Sequence, residues 1–185
     1  MSLSPNHSPP FALLHRPNIV SAQTIKMDGF LQSKNYTCGF ASLLMVARYL
    51  GVQLSNKELY DMLETDRSGT SQSKIIETLR TLNLSANIKY DLDLNGIAKN
   101  IQNNKPSIAY LVDEEHWVVI YGCDVLKELI YIADPRPGFA CEYAWKDKMS
   151  ALNGFGIVCS SKEQMGRDPV KKNEAHPQLQ LNLGI

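Results

Sequence analysis

Residues 38–50 read CGFASLLMVARYL, and only Ser42 and Arg48 are clearly polar in that run. At helical spacing Phe40, Leu43, Leu44, Ala47 and Leu50 share one stripe, while Ala41, Met45 and Tyr49 share another. A surface helix carries a single apolar stripe, so a helix apolar on both flanks has to be covered on both. The rest of the chain must therefore supply a layer on either side of this segment. Gly51 follows it as a terminator, because glycine takes the left-handed backbone that ends helices at little cost.

The covering layers are both written after it, in different periods. Downstream, SNKELYDMLE carries Ser55 and Glu58 in capping-box spacing and predicts a second helix. After the loop TDRSGTS a third helix is expected over 72–82, with Ile75, Ile76 and Leu79 facing inward. A short fourth is expected over 94–102, after a turn at Asp91 and Asp93. From there the pattern changes. SIAYLV, HWVVIYG, LIYIAD and GFGIVCS are short, β-branched and aromatic, and Pro, Gly and Asp bound them, which is the signature of strands. Their close spacing predicts antiparallel pairing. Helices followed by such a sheet predict an α+β domain, a helical lobe packed on an antiparallel β-sheet. The domain is expected over 28–161, between an irregular Pro- and Ser-rich arm (1–27) and a polar tail (162–185).

Several function classes fall away on composition. Lys and Arg balance Asp and Glu, for a formal net charge of +0, and no basic stripe exists. No nucleic-acid partner is expected. No apolar run approaches the roughly 20 residues of a membrane helix, and the N-terminus has no signal-peptide pattern. A cytoplasmic location is expected, with a non-classical secretion route left open. Oligomeric state is not legible. The four cysteines, Cys38, Cys123, Cys141 and Cys159, form no CxxC and no disulfide framework. Neither a metal nor an organic cofactor is expected.

Chemistry points to Cys38. A thiol at a helix start sits among unpaired N–H groups and the positive end of the macrodipole, and both favour thiolate. Gly39 beside it would let a substrate backbone approach. Cys123, Cys141 and Cys159 lie in or near apolar strands and read as filler. Of the histidines, His7, His15 and His176 fall in the arms, whereas His116 opens the strand HWVVIYG. There an imidazole can take the thiol's proton, with Trp117 shielding the pair from water. Asp134 ends the next strand, so antiparallel pairing can bring it to the imidazole and fix its tautomer. Gln32, six residues before Cys38, can join the Cys38 backbone N–H as an oxyanion donor.

Taken together these residues resemble a known family. Cys38-Gly39-x-Ala41-x-Leu43-x-Met45, ending in Tyr49-x-Gly51, looks like the active-site helix of the bacteriocin-processing cysteine peptidases that cut after double-glycine leaders. His116-Trp117-Val118-Val119 and Asp134-Pro135-x-x-Gly138 are similar to that family's second and third blocks, and Gln32 matches its oxyanion-hole glutamine in spacing. The resemblance spans about residues 28–160 and implies a papain-like fold, with the nucleophile on a helix and the His and Asp on the sheet. Thr37 stands where that family often has Asp. Typical members are fused to an ATP-driven exporter, whereas these 185 residues carry no Walker motif. The expected protein is a stand-alone papain-like cysteine peptidase acting on a peptide or isopeptide bond through Cys38, His116 and Asp134. Two other readings remain open at this level: an acyltransferase of the transglutaminase type, and an inactive peptide-binding module on the same fold.

Overall fold

The computed structural model describes residues 11–13, 22–137 and 139–162. In chain order the elements are β1 (Phe11–Leu13), β2 (Gln23–Thr24), β3 (Asp28–Phe30), α1 (Cys38–Tyr49), α2 (Asn56–Leu63), α3 (Gln72–Thr81), β4 (Leu84–Lys89) and α4 (Leu94–Gln102), followed by β5 (Ser107–Leu111). A 3-10 turn at Val112–Glu114 leads to β6 (His116–Asp124), β7 (Leu129–Asp134), β8 (Phe139–Ala144), α5 (Trp145–Leu152) and β9 (Gly156–Ser161). The fold is α+β, as expected, with the helices gathered mainly in the first half.

Helix α1 is the centre of the packing. Its residues from Cys38 through Ala47 are buried, including Ser42, and it packs on β6 on one side and on β3, α2 and α3 on others. Leu43 and Leu44 are fully buried, and each such burial contributes about 1.5–3 kcal/mol relative to exposure. Gly51 follows the helix at φ +85, in the left-handed region. The capping box forms at α2, where the Ser55 hydroxyl accepts from the Glu58 N–H and the Glu58 carboxylate accepts from the Ser55 N–H. Asp93 caps α4 through the Gly96 N–H at 2.7 Å.

The main sheet is antiparallel throughout, in the order β4-β9-β5-β6-β7-β8. The strands read from the sequence correspond to β5, β6, β7 and β9. Strands β4 and β8 and helix α5 were not anticipated. The stretch read as an arm includes β2, which pairs with β6 at Gln23↔Cys123 and Thr24↔Gly122. It lies in line with β5, which pairs with β6 only up to Ile120. Tyr121 lies between the two pairings, and its carbonyl accepts from the Ile25 N–H; on the other edge of β6, the pairing with β7 shifts register at the same place. Gly122 permits this approach: a Cβ at that position would lie 2.6 Å from the Gln23 carbonyl oxygen. Ile25 and Met27 are buried in the core. The remainder of the arm (1–10 and 14–21), with His7 and His15, and the tail from 163 on, with His176, lie outside the described residues, as does Gly138. No helix among the described residues is long and apolar enough to cross a membrane.

Candidate active site

Three separate elements deliver the side chains. Cys38 is the first residue of α1, His116 the first of β6, and Asp134 the last of β7. Strand β5 pairs Leu111 with His116, and β7 pairs Ala133 with Val119, so the start of β6 lies beside the end of β7. The His116 Nε2–H donates to Asp134 Oδ1 across 2.7 Å. This leaves Nδ1 to face the Cys38 thiol, and the two groups lie close enough to shift each other's titration. Asp134 Oδ1 also accepts from the Arg136 N–H at 2.8 Å. All three residues are buried: Cys38 is 4% exposed, His116 1% and Asp134 8%.

Burial and pairing oppose each other at each group. For Cys38, burial pushes the thiol up. The His116 imidazole and the backbone N–H groups of Trp117 and Gly39 outweigh it, and the thiol lies below its ordinary value. For His116, burial disfavours the imidazolium, but the Asp134 carboxylate and the Cys38 sulfur together raise it. For Asp134, burial works upward and is overcome by the His116 and Arg136 N–H groups, which hold the carboxyl low. At the other buried thiols burial prevails, raising Cys123 to about 11 and, against a backbone N–H of Ile108, Cys159 to about 12. Cys141 lies in β8, half-buried, away from this set. No disulfide joins any of the four cysteines.

Thr37 precedes Cys38 but does not cap α1. Its hydroxyl instead donates to the Lys34 carbonyl at 2.9 Å and accepts from the Lys34 N–H at 3.1 Å, closing the turn that leads into the helix. The helix N-terminus is therefore left without a side-chain cap next to the sulfur. Gln32 is half-buried at the start of that turn. Its side-chain amide donates one hydrogen to the Lys34 carbonyl at 2.9 Å, and its backbone N–H donates to the Pro135 carbonyl at 2.8 Å.

Gly39 faces protein rather than open space. A Cβ there would lie 2.6 Å from Thr70 Cβ and 3.1 Å from Trp117 Cδ1. Trp117 is buried. Its indole N–H donates to the Thr70 carbonyl at 2.9 Å, and its ring packs on Tyr110, its cross-strand partner, with centroids 4.8 Å apart. These residues wall a groove made of two adjoining cavities. The smaller, about 360 Å³, opens onto Cys38 beside Tyr36, Arg67 and Glu115. The larger, about 780 Å³, runs from Thr70 and Trp117 toward Leu63, Tyr90, Val112 and Phe155. Ser68, Gly69, Thr70, Tyr110 and Trp117 line both. Thr70 and Tyr110 went unread in the sequence. Tyr110 was findable, since pairing SIAYLV with HWVVIYG across the DEE turn sets it opposite Trp117. Thr70 was not, because only the tertiary fold carries the TDRSGTS loop over α1.

The chain is similar to known proteins in sequence and in fold. The sequence model of the peptidase C39 family matches residues 26–151. An uncharacterized protein of Methanothermobacter thermautotrophicus is 33% identical over 110 residues, which span 58% of this chain and 71% of that relative. The lactococcin-G-processing and transport ATP-binding protein LagD of Lactococcus lactis is 31% identical over 110 residues, only 15% of its own length. Among solved structures, a double-glycine-motif protease from an AMS/PCAT transporter, crystallised with its leader peptide, superposes with a TM-score of 0.63 at 20% identity, covering 75% of this chain and 94% of that one. The peptidase domain of Streptococcus ComA, a bifunctional ABC transporter in a quorum-sensing pathway, gives 0.61 at 22% identity, covering 71% and 96%.

Proposed function

Because the chain belongs to the peptidase C39 family, we propose that it is a papain-like cysteine peptidase whose catalytic residues are Cys38, His116 and Asp134. The observation that carries this reading is the buried His116–Asp134 hydrogen bond beside Cys38, whose thiol the imidazole draws below its ordinary value and whose residue lines a groove. The Cys38 sulfur attacks the scissile carbonyl carbon. Its electrons move to the carbonyl oxygen, where the Cys38 N–H and the second amide hydrogen of Gln32 hold the charge. The C–N bond then breaks, and the His116 imidazolium gives its proton to the departing amine, leaving a thioester. His116 next takes a proton from water, which attacks the thioester and releases the acid and the thiolate. Asp134 keeps the imidazole in the tautomer that faces the sulfur.

The substrate we infer is a peptide with small residues just before the scissile bond. Thr70, Tyr110 and Trp117 wall the cavity that Cys38 lines, and residues without side chains bring their backbone closest to such a wall. The larger cavity, which joins Leu63, Tyr90, Val112 and Phe155 to polar residues of the 64–74 stretch, is suited to upstream residues, as a leader peptide would supply. The relatives named for double-glycine and lactococcin processing support the same substrate class.

The test is cleavage of synthetic peptides that carry either Gly-Gly or Val-Val before the scissile bond. The expected result is cleavage after Gly-Gly only, with a thioester on Cys38 detectable by mass and both lost in Cys38→Ala. Equal binding without turnover in wild type and Cys38→Ala would instead identify a binding module. Preferential capture of the acyl group by added amine would identify an acyltransferase.

A further inference from the structure

Outside the reacting groups, three charged side chains from three elements meet beside them. Glu114 ends the 3-10 turn two residues before His116. Its Oε2 accepts from Arg136 Nη1 at 2.7 Å, and its backbone carbonyl accepts from Arg136 Nη2 at 3.2 Å. Its other oxygen, Oε1, accepts from Lys148 Nζ of α5 at 2.7 Å. Lys148 is in turn fixed over the Tyr143 ring of β8, 4.5 Å from its centroid.

Arg136 is the link to the reacting groups. Its guanidinium reaches back to the residue 114 turn, while its own backbone N–H donates to Asp134 Oδ1, the oxygen that also accepts from His116. The turn that carries His116 and the turn that follows Asp134 are thus clamped through one residue. An isolated exposed ion pair is worth little. This one is different in form: the guanidinium holds both a carboxylate and a carbonyl of Glu114, and Lys148, with its side chain only 16% exposed, fixes the carboxylate from the other side.

Resting on the peptidase reading above, we infer that Glu114 and Arg136 are positioning residues that hold the His116–Asp134 pair in its reactive alignment. Neither touches the thiol or enters the reaction. They act by keeping Asp134 Oδ1 between the imidazole N–H and the Arg136 N–H. Lys148 draws the Glu114 carboxyl down, and Arg136 adds to that effect against burial. The clamp therefore stays charged wherever the thiolate–imidazolium pair exists. The titratable groups facing these residues are Cys38 and Asp134 at His116, Tyr143 near Asp134 and Glu114, and Lys148 at Glu114.

The experiment measures the rate of Cys38 alkylation by iodoacetamide against pH, together with kcat and KM on a cleaved peptide. It compares the full-length wild type with Arg136→Gln, Glu114→Gln, the double variant and Arg136→Lys. With the pair loosened, the imidazolium is less well held and the thiolate loses its partner at lower pH. Arg136→Gln is expected to lose about tenfold in alkylation rate on the acid side, the size of one pKa unit. Its kcat should fall by about the same factor with KM within about twofold, since no binding contact is removed. Glu114→Gln should lose less, since the Arg136 contact to the residue 114 carbonyl survives it, the double variant should be no worse than Arg136→Gln, because the side-chain contact is shared, and Arg136→Lys should recover part of the loss. Thermal melting separates folding from alignment: if Glu114→Gln melts early, the folded Arg136→Gln and Arg136→Lys pair decides the question. A wild-type profile in a folded Arg136→Gln, or additive losses in the double variant, overturns the clamp and leaves the peptidase reading intact. An ordinary thiol profile in the wild type overturns both.

Discussion

Gln32 donates its backbone N–H to the Pro135 carbonyl across 2.8 Å. One residue opens the turn that leads to Cys38, and the other follows Asp134, so the approach to the thiol and the turn after the carboxylate are tied by main chain alone. The lobe that carries the thiol and the sheet that carries its partners are thereby held in register without a covalent link. Three consequences of this assembly can be measured.

The first concerns acid stability. Asp134 is held below the usual carboxylate range by His116 and Arg136, so its contribution is present above the unfolded-state value and is lost as pH falls through the folded one. Asp134→Asn removes that contribution at neutral pH, where removal of a hydrogen bond to a charged group costs on the order of 1–3 kcal/mol. The melting-temperature gap between wild type and Asp134→Asn should therefore be widest near neutrality and close toward acid. A gap that stays constant down to the acid limit of folding would contradict the carboxylate's ionised pairing.

A second prediction concerns the glycine after the nucleophile. Its missing side chain is space that Thr70 and Trp117 fill, with Thr70 Cβ 2.6 Å from an ideal Cβ at Gly39. Thr70 is buried and branched, and its carbonyl is committed to the Trp117 indole, so it has little freedom to withdraw. Gly39→Ala should cost about 1–3 kcal/mol in denaturant unfolding, the usual range for overpacking a tight core. A loss below about 0.5 kcal/mol, the size of a neutral surface change, would mean that the loop yields.

The third tests the docking of β2. Gly122→Ala sets a methyl 2.6 Å from the Gln23 carbonyl oxygen, which is backbone and cannot rotate away. The Ile25 amide, which donates to the Tyr121 carbonyl, should exchange with deuterium at least tenfold faster in this variant, while amides paired between β5 and β6 keep their protection. Unchanged exchange at Ile25 would show that β2 docks without needing the glycine.

The sequence disclosed the parts of this molecule that are local. The two-sided apolar run over 38–50, the Ser55 capping box and the strand that opens at His116 all follow from spacing of a few residues. Strand β8 escaped because FACEYA has little β-branched content and owes its extended form to pairing along the whole of β7. Strand β2 escaped because its two residues are too few to carry a period, and only the end of β5 leaves a place for them on β6. At the site, Cys38, His116 and Asp134 were legible as residue types at the ends of elements. The Thr70 wall and the Glu114–Arg136 contact were not. Both join segments far apart in the chain, and no local pattern records which loop will lie over which helix.

The separation of Cys38 on α1 from its imidazole on β6 has a consequence for the newborn chain. A nascent polypeptide that has emerged only through α4 has neither His116 nor Asp134 to set beside Cys38. On the proposed reading, chemical competence arrives only when β6 and β7 close over the earlier helix, so the reactivity of a single atom would report that this part of the sheet has been completed.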